Sequence, residues 1–351
     1  MKKFKFICVV MAALMMLTAC SNIVDVTEMA SIGDTKVLKS EFNFYLLNAQ
    51  STIAQNLSAQ GITLETEEDW QNNEVDGVPA AQAAKDEAVK MLRNTLVWEA
   101  KGKEAGFVLD AEAAAEVETE RNSLIESVGG RYAYEEFFMT AGVNPSDLSD
   151  ILERSVYASK YQTKYTEEHA EELVSTPEDI QATFASDYRT VKHILVSNQA
   201  PEGTDAAAED QPADYDALAK GTADDLYKQL KEGADFDKLM NEHSDDARDE
   251  NGNLYSTSYT MAQDGSMVKE FEDAAFALEI GEISEPVQTT YGYHILTRVE
   301  NPTEGEEYDA AIQKVEAAAQ GDKLDKLVEG WATELGFKLN DKAISRIKIG
   351  K

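Results

Sequence analysis

Met267 to Glu300 reads MVKEFEDAAFALEIGEISEPVQTTYGYHILTRVE, and this stretch decides the fold. Phe271-Glu272-Asp273-Ala274-Ala275-Phe276-Ala277-Leu278 has helical spacing of its apolar positions. Gly281-Glu282 makes a turn, Ile283 to Val287 is extended, and Tyr291-Gly292 is a second, tight turn. A strand follows that turn. Upstream, Val191-Lys192-His193-Ile194-Leu195-Val196 reads as its partner. Each of the two strands carries one histidine beside an apolar run, His193 in the first and His294 in the second.

The KHILV strand, the FEDAAFAL helix, GEISEPV and GYHI follow one another in an order and spacing that resembles the parvulin-type peptidyl-prolyl isomerases. The resemblance spans residues 189–301 and implies a small antiparallel or mixed sheet flanked by helices. It also implies a set of roles. His193 and His294 match the paired histidines of that family, Asp246 stands where it has Cys or Asp, and Thr289 matches a hydroxyl on the penultimate strand. Leu254, Met267 and Phe271 match the residues that hold the proline ring. A lone strand histidine is usually a satisfied core residue, but two in matching positions favour a site. Met267 and Phe271 serve equally as core, and the two roles are compatible. His169 and His243 fall in no motif and read as surface residues.

The chain departs from the family in places. The usual G-G-D-L-G followed by an aromatic is here Gly252-Asn253-Leu254-Tyr255-Ser256-Thr257, so Tyr255 and Tyr259 both stand as candidates for the aromatic wall. Tyr291 stands where Ser or Phe is common. The loop around Asp249, Asn251 and Gly252 has part of a calcium-loop pattern. Its end positions would be Ala247 and Ser258, which cannot serve as those ligands, so no metal is expected. The resemblance implies no cofactor.

The flanks supply an address and a second domain. Lys2, Lys3 and Lys5 precede an apolar run from Phe6 to Leu17, too short for a convincing span. Leu17-Thr18-Ala19-Cys20 looks like a lipobox, which implies cleavage after Ala19 and a diacylglyceryl group on Cys20. The expected order is a signal peptide over 1–19, a lipidated tether over 20–28, a helical domain over 29–188, the parvulin domain over 189–301, and a C-terminal segment over 302–351. Cys8 and Cys20 are the only cysteines, so the mature domains would hold no thiol and no disulfide.

Residues 29–39 read as a hairpin turning at Gly33-Asp34, and Ser40 reads as the N-cap of a helix through Phe42, Tyr45, Leu46, Ala49, Ile53 and Leu57. This opening resembles the N-terminal domain of the SurA and PrsA folding factors. Gly61 to Pro79 reads as an acidic, irregular loop. Helices are expected over Ala80–Gly106, Ala111–Val128, Tyr132–Ala141, and from Ser146 as cap to Glu172. Thr176-Pro177-Glu178-Asp179 is a further helix start. Asn198 to Asp216, polar and without apolar period, reads as a loop, followed by helices over Thr222–Glu232 and Phe236–His243. Tyr308 to Leu335 is helical, and Phe337–Leu339 and Ile344–Ile349 read as extended. In the PrsA and SurA families the C-terminal segment folds back onto the N-terminal helices, which makes the fold class α+β: a mostly helical chaperone lobe with an inserted parvulin domain.

Lys plus Arg is 32 against 66 Asp plus Glu, a net charge of −34. Such a surface repels phosphate backbones, so nucleic acid is excluded as a partner. The expected function is isomerisation of Xaa-Pro bonds in exported chains at the extracytoplasmic face of a bacterial cell membrane. The membrane partner is reached through lipidated Cys20. The alternative is a holdase whose lobe binds unfolded exported chains beside a weak or inactive parvulin domain. A homodimer through the helical lobe is a further arrangement the resemblance suggests. A solute-binding lipoprotein would need strand-helix alternation throughout, against the helical run from Ala80 to Glu172.

Overall fold

The computed structural model describes residues 25–58, 61–199 and 214–350. The lipobox, Cys20 and most of the Asn198–Asp216 loop lie outside the described residues. In chain order the elements are β1 (Glu28–Ile32), β2 (Thr35–Leu38), α1 (Lys39–Ser58), α2 (Glu67–Asn72), β3 (Glu74–Val75), β4 (Val78–Pro79), α3 (Ala80–Glu104) and α4 (Ala111–Ser127). Then come α5 (Arg131–Thr140), α6 (Leu148–Glu168), α7 (Ala170–Leu173), α8 (Pro177–Asp187), β5 (Tyr188–Ser197), α9 (Tyr215–Lys231), α10 (Phe236–His243) and β6 (Tyr259–Ala262). The chain finishes with α11 (Lys269–Ala277), β7 (Val287–Thr289), β8 (Gly292–Val299), α12 (Glu306–Glu334), β9 (Lys338–Leu339) and α13 (Asp341–Ser345). The class is α+β.

Two compact units divide the chain, one holding the residues up to Leu173 together with Asp322 onward, the other Val174–Gly321. The divisions differ from the expected cuts at 188/189 and 301/302. Ile180 and Phe184 of α8 pack with Tyr188, Ala311 and Val315, so α8 and the first part of α12 form one apolar cluster with the start of β5.

In the first unit, Phe42, Leu46, Ala49 and Ile53 of α1 are buried at helical spacing, as are Ala84, Ala88, Leu92 and Leu96 of α3 and Leu148, Ile151, Leu152 and Val156 of α6. β1 lies between β2 and β9, antiparallel to both, so the C-terminal segment completes a sheet begun at the N-terminus. Four local expectations are corrected. Ser40 is inside α1, and its hydroxyl accepts the Asn144 N–H at 2.8 Å, a partner 104 residues away. α6 begins at Leu148, not on a Ser146 cap, and ends at Glu168, short of Glu172. Gly61–Pro79 is not irregular: Thr66 and Asp69 form a capping box for α2, and β3 and β4 pair as a hairpin. Ile344–Ile349 is not a strand, because Asn340 caps α13 through the Ala343 N–H.

In the second unit, Thr176 caps α8 as its residue type predicts. α9 starts seven residues before the expected Thr222, because Asp214 accepts the Ala217 N–H and serves as its cap. The sheet has the order β6-β5-β8-β7, every pair antiparallel. Alternation of side chains across a strand sorts the apolar residues. Ile194, Val196, Tyr293 and Ile295 pack with Ala219, Ala223, Leu226 and Leu230 of α9 and Leu239 and Met240 of α10. Val191 and Leu296 pack with Phe271 and Ala275 of α11 on the opposite face. By the same period of two, His193 and His294 point to the α11 face.

Candidate active site

The register of β5 against β8 brings the histidines together. His193 pairs with Leu296 and Leu195 with His294, so the imidazoles are diagonal neighbours on one face. Their Nδ1 atoms are 3.0 Å apart, the ring centroids 5.3 Å apart and the planes 15° from parallel. Both residues are buried.

Asp246 arrives from the loop after α10. β6 covers β5 only over Tyr188–Val191, which leaves the rest of that β5 edge open. The loop fills it. Leu195 donates its N–H to Ser244 Oγ at 3.1 Å, Asp245 N–H donates to Leu195 O at 2.8 Å, and Ser197 N–H donates to Asp245 Oδ2 at 2.9 Å. The next residue is thereby set down with Oδ2 3.0 Å from His193 Nε2. Tyr259 donates its hydroxyl to the same Oδ2 at 2.6 Å, and Ala247 N–H donates to Oδ1 at 2.9 Å. Thr289, the last residue of β7, places Oγ1 2.9 Å from His294 Nε2 and accepts the Tyr291 N–H at 3.1 Å.

When both imidazoles are neutral, the partners fix every proton in this chain. An ionised carboxylate only accepts, so His193 Nε2 carries a hydrogen and its Nδ1 accepts. His294 Nδ1–H therefore donates to His193, and His294 Nε2 accepts from the Thr289 hydroxyl. The bonds run in one direction from Thr289 through both neutral imidazoles to Asp246. The hydrogen bond from His193 holds the Asp246 carboxyl well below the usual carboxylate range, with the Tyr259 hydroxyl acting the same way and burial opposing both. Burial, assisted by His193, pushes His294 down to about 4. Burial and the bond to Asp246 push the Tyr259 phenol up.

The sign of the resulting pH dependence follows. Between about 6.5 and about 4 an unfolded His294 takes up a proton that the native one refuses. Stability contributed by the neutral ring is thus present above that window and lost as the pH falls through it, by about 3 kcal/mol in total. The depressed Asp246 has the same sign at lower pH. All three tryptophans, at positions 70, 98 and 331, lie in the first unit, so the measurement is amide exchange in β5 and β8. From pH 7.5 to 4.5 the wild type should lose about 2.5 kcal/mol more protection than His294→Asn. Equal losses in the two proteins would show that the ring titrates normally.

The apolar side is built from α11. Phe271 meets His193 and His294 edge-on, with centroids 5.3 and 5.2 Å away, and Met267 packs in the same cluster. Leu254 does not join them; it packs with the cluster on the opposite sheet face. Tyr259 sets its ring edge against His193 at 5.1 Å, whereas Tyr255 is exposed, which separates the two candidates. One contact and one residue escaped the sequence reading. One is the Tyr259 hydroxyl on Asp246. The other is Glu272, buried on α11, whose carboxylate accepts the N–H groups of Gly265 and Met267 at 3.3 and 3.1 Å and so holds Met267 in place. An acidic residue on the buried side of the FEDAAF helix was its only signal.

Residues 193–300 match the family model described as Rotamase, a PPIC-type PPIase domain. A Foldase protein PrsA of Geobacillus kaustophilus is 28% identical over 259 residues, covering 64% of this chain and 89% of that protein. Another of that description, from Caldanaerobacter subterraneus, is 40% identical over 119 residues, covering 32% of this chain and 36% of its own. The crystal structure of foldase protein PrsA from Streptococcus pneumoniae is similar over 78% of this chain and 96% of its own, at 17% identity and a TM-score of 0.33.

Proposed function

We propose that this chain, which holds a PPIC-type PPIase domain and is similar to PrsA foldases, is a parvulin-type peptidyl-prolyl cis-trans isomerase that assists the folding of exported proteins from the outer face of the cell membrane, held there by lipid on Cys20. The isomerase barrier is about 18–20 kcal/mol and comes from amide resonance. Catalysis is then tighter binding of the twisted amide than of either planar form. Met267, Phe271 and the Tyr259 ring would grip the proline ring. His193, His294, Thr289 and Asp246 would offer a fixed, dry dipole array to the carbonyl as it turns. No side chain need act as nucleophile or acid. The observation that carries this reading is the unbroken run of hydrogen-bonding contacts from Thr289 through the two histidines to Asp246, beside the edge of Phe271.

The test is cis-trans relaxation of a short Xaa-Pro peptide with the chain from Cys20 onward. Acceleration is expected, and His294→Ala should lower kcat/KM about tenfold by breaking the array at its middle. No acceleration by the wild type would refute the isomerase reading. For the anchor, the thioether-linked lipid on Cys20 is sought by mass spectrometry of the protein recovered from bacterial membranes. An unmodified thiol there would remove it. Among the described residues no helix is long and apolar enough to cross a membrane.

One observation favours the holdase reading alongside. The first unit holds a cavity of about 740 Å³ lined by Leu46, Leu47, Ala54, Leu64, Trp70 and Ile347 among others. That volume lies within the range of small ligand sites, and the lining suits an extended apolar segment. Suppression of client aggregation that survives His294→Ala would assign the holding role to this unit.

A further inference from the structure

We propose that Tyr259 is a positioning residue of the isomerase site, its hydroxyl holding the Asp246 carboxylate in the one orientation that sets the polarity of the histidine pair. The inference rests on the isomerase reading above and concerns a group to which the family resemblance gives no polar role. Asp246 is carried on a loop, not on a strand, and its side chain keeps 21% exposure. A carboxylate so placed can swing outward to water. Three donors prevent it: Ala247 N–H on Oδ1, and the Tyr259 hydroxyl and His193 Nε2–H on Oδ2. The Ala247 bond is local to the loop and turns with it. The hydroxyl is the one donor of the three that ties the carboxylate to β6, whose first residue is Tyr259. Tyr259 itself pairs with Val191 in the sheet, two residues before His193.

The geometry explains why the oxygen matters apart from the ring. The ring fills space against the His193 edge, and a phenylalanine would fill it equally. The hydroxyl presents a hydrogen to the oxygen that His193 also uses, so Oδ2 is fixed as an acceptor from two directions. With Oδ2 fixed, His193 keeps its hydrogen on Nε2, and the direction of the chain through His294 to Thr289 is set. Without it, the carboxylate has a single side-chain tether, and His193 can turn with it. The titratable groups facing this corner are few: Asp246 from the loop, His193 from β5, and Glu307 of α12, whose carboxylate accepts the hydroxyl of the adjacent Thr260 at 3.0 Å.

The test is Tyr259→Phe in the chain from Cys20 onward, with the peptide relaxation assay run from pH 4 to 8 and the ¹⁵N resonances of His193 recorded. The expected result is a loss of about fivefold in kcat/KM. The His193 nitrogens, distinct in the wild type, should move towards averaged values as the two tautomers exchange. A Tyr259→Phe protein with wild-type kcat/KM and unmoved His193 nitrogen resonances, in an assay where the wild type is active, would overturn the proposal and leave the isomerase reading intact. If the variant does not fold, the wild type decides. A slowly exchanging Tyr259 hydroxyl proton with a cross-peak to His193 supports the proposal, and a rapidly exchanging one overturns it.

Discussion

Gly292→Ala is expected to destabilise the second unit by about 3 kcal/mol or more and to abolish most of the isomerase activity. Gly292 has φ +137°, a conformation that residues with a Cβ rarely adopt. Space is the larger obstacle. A Cβ on Gly292 would lie 2.2 Å from the Val196 carbonyl oxygen, 2.9 Å from Asn198 N and 2.9 Å from Ser197 Cα. All three are backbone atoms, so no rotamer change relieves the clash. β5 and β8 would have to separate at their paired ends, where Ser197 faces Gly292. The same glycine pairs with Thr289, so the separation drags the hydroxyl off His294. The measurement is amide exchange in β5 and β8 together with peptide relaxation. Gly281→Ala, at a turn where a Cβ meets nothing within 4 Å, is the control and should cost only the left-handed strain, about 1 kcal/mol. Equal effects at the two positions would show that backbone conformation, not close approach, makes Gly292 necessary.

Asp246→Asn is expected to reverse the hydrogen-bond chain while leaving the fold in place. Ala247 N–H donates to Oδ1, so an amide at this position turns its oxygen there and its NH₂ to the Oδ2 side. That NH₂ faces His193 Nε2 and the Tyr259 hydroxyl, and both must become acceptors. The hydrogen of His193 then moves to Nδ1, His294 carries its own on Nε2, and Thr289 must donate elsewhere. The nearest acceptor for it is the Gly292 carbonyl at 3.5 Å, a poor bond. The site loses both a negative charge and its direction, so kcat/KM should fall roughly thirtyfold, more than on removing the His294 ring. ¹⁵N resonances report the tautomers directly: Nε2 of His193 protonated in the wild type, Nδ1 in the variant. An unchanged tautomer with full activity would mean that Asp246 does not orient the pair.

These two substitutions also mark where reading the chain succeeded and where it stopped. His193, His294, Thr289, Met267 and Phe271 were legible because each sits in a short motif whose period places it. The strand pattern gives the face, and the helix pattern gives the stripe. Asp246 was legible by its place in the loop order, but its contact with His193 depends on Ser244 and Asp245 capturing an open stretch of β5 edge, which no local pattern encodes. Leu254 followed the family order yet packs on the far side of the sheet. Tyr255 and Tyr259 were equivalent candidates until one was found exposed and the other bonded to Asp246. Ser40 has the ordinary composition of a cap and instead serves a backbone N–H from a distant turn. α2 was hidden by the acidic stretch around it, although its Thr66–Asp69 capping box was there to be read.

The string of residues alone settled β5, β8, α10 and α11 of the second unit, the face on which each histidine lies, and the surplus of acid. These follow from periods of two and 3.6 residues and from counting charges, which need no neighbour beyond a few positions. Folding in three dimensions decided which hydroxyl meets the carboxylate, which leucine leaves the proline side, and which way the protons point along the imidazoles. Those outcomes depend on contacts across 13 to 101 residues of chain, where a side chain's partner is chosen by sheet register and loop path instead of by its own sequence surroundings.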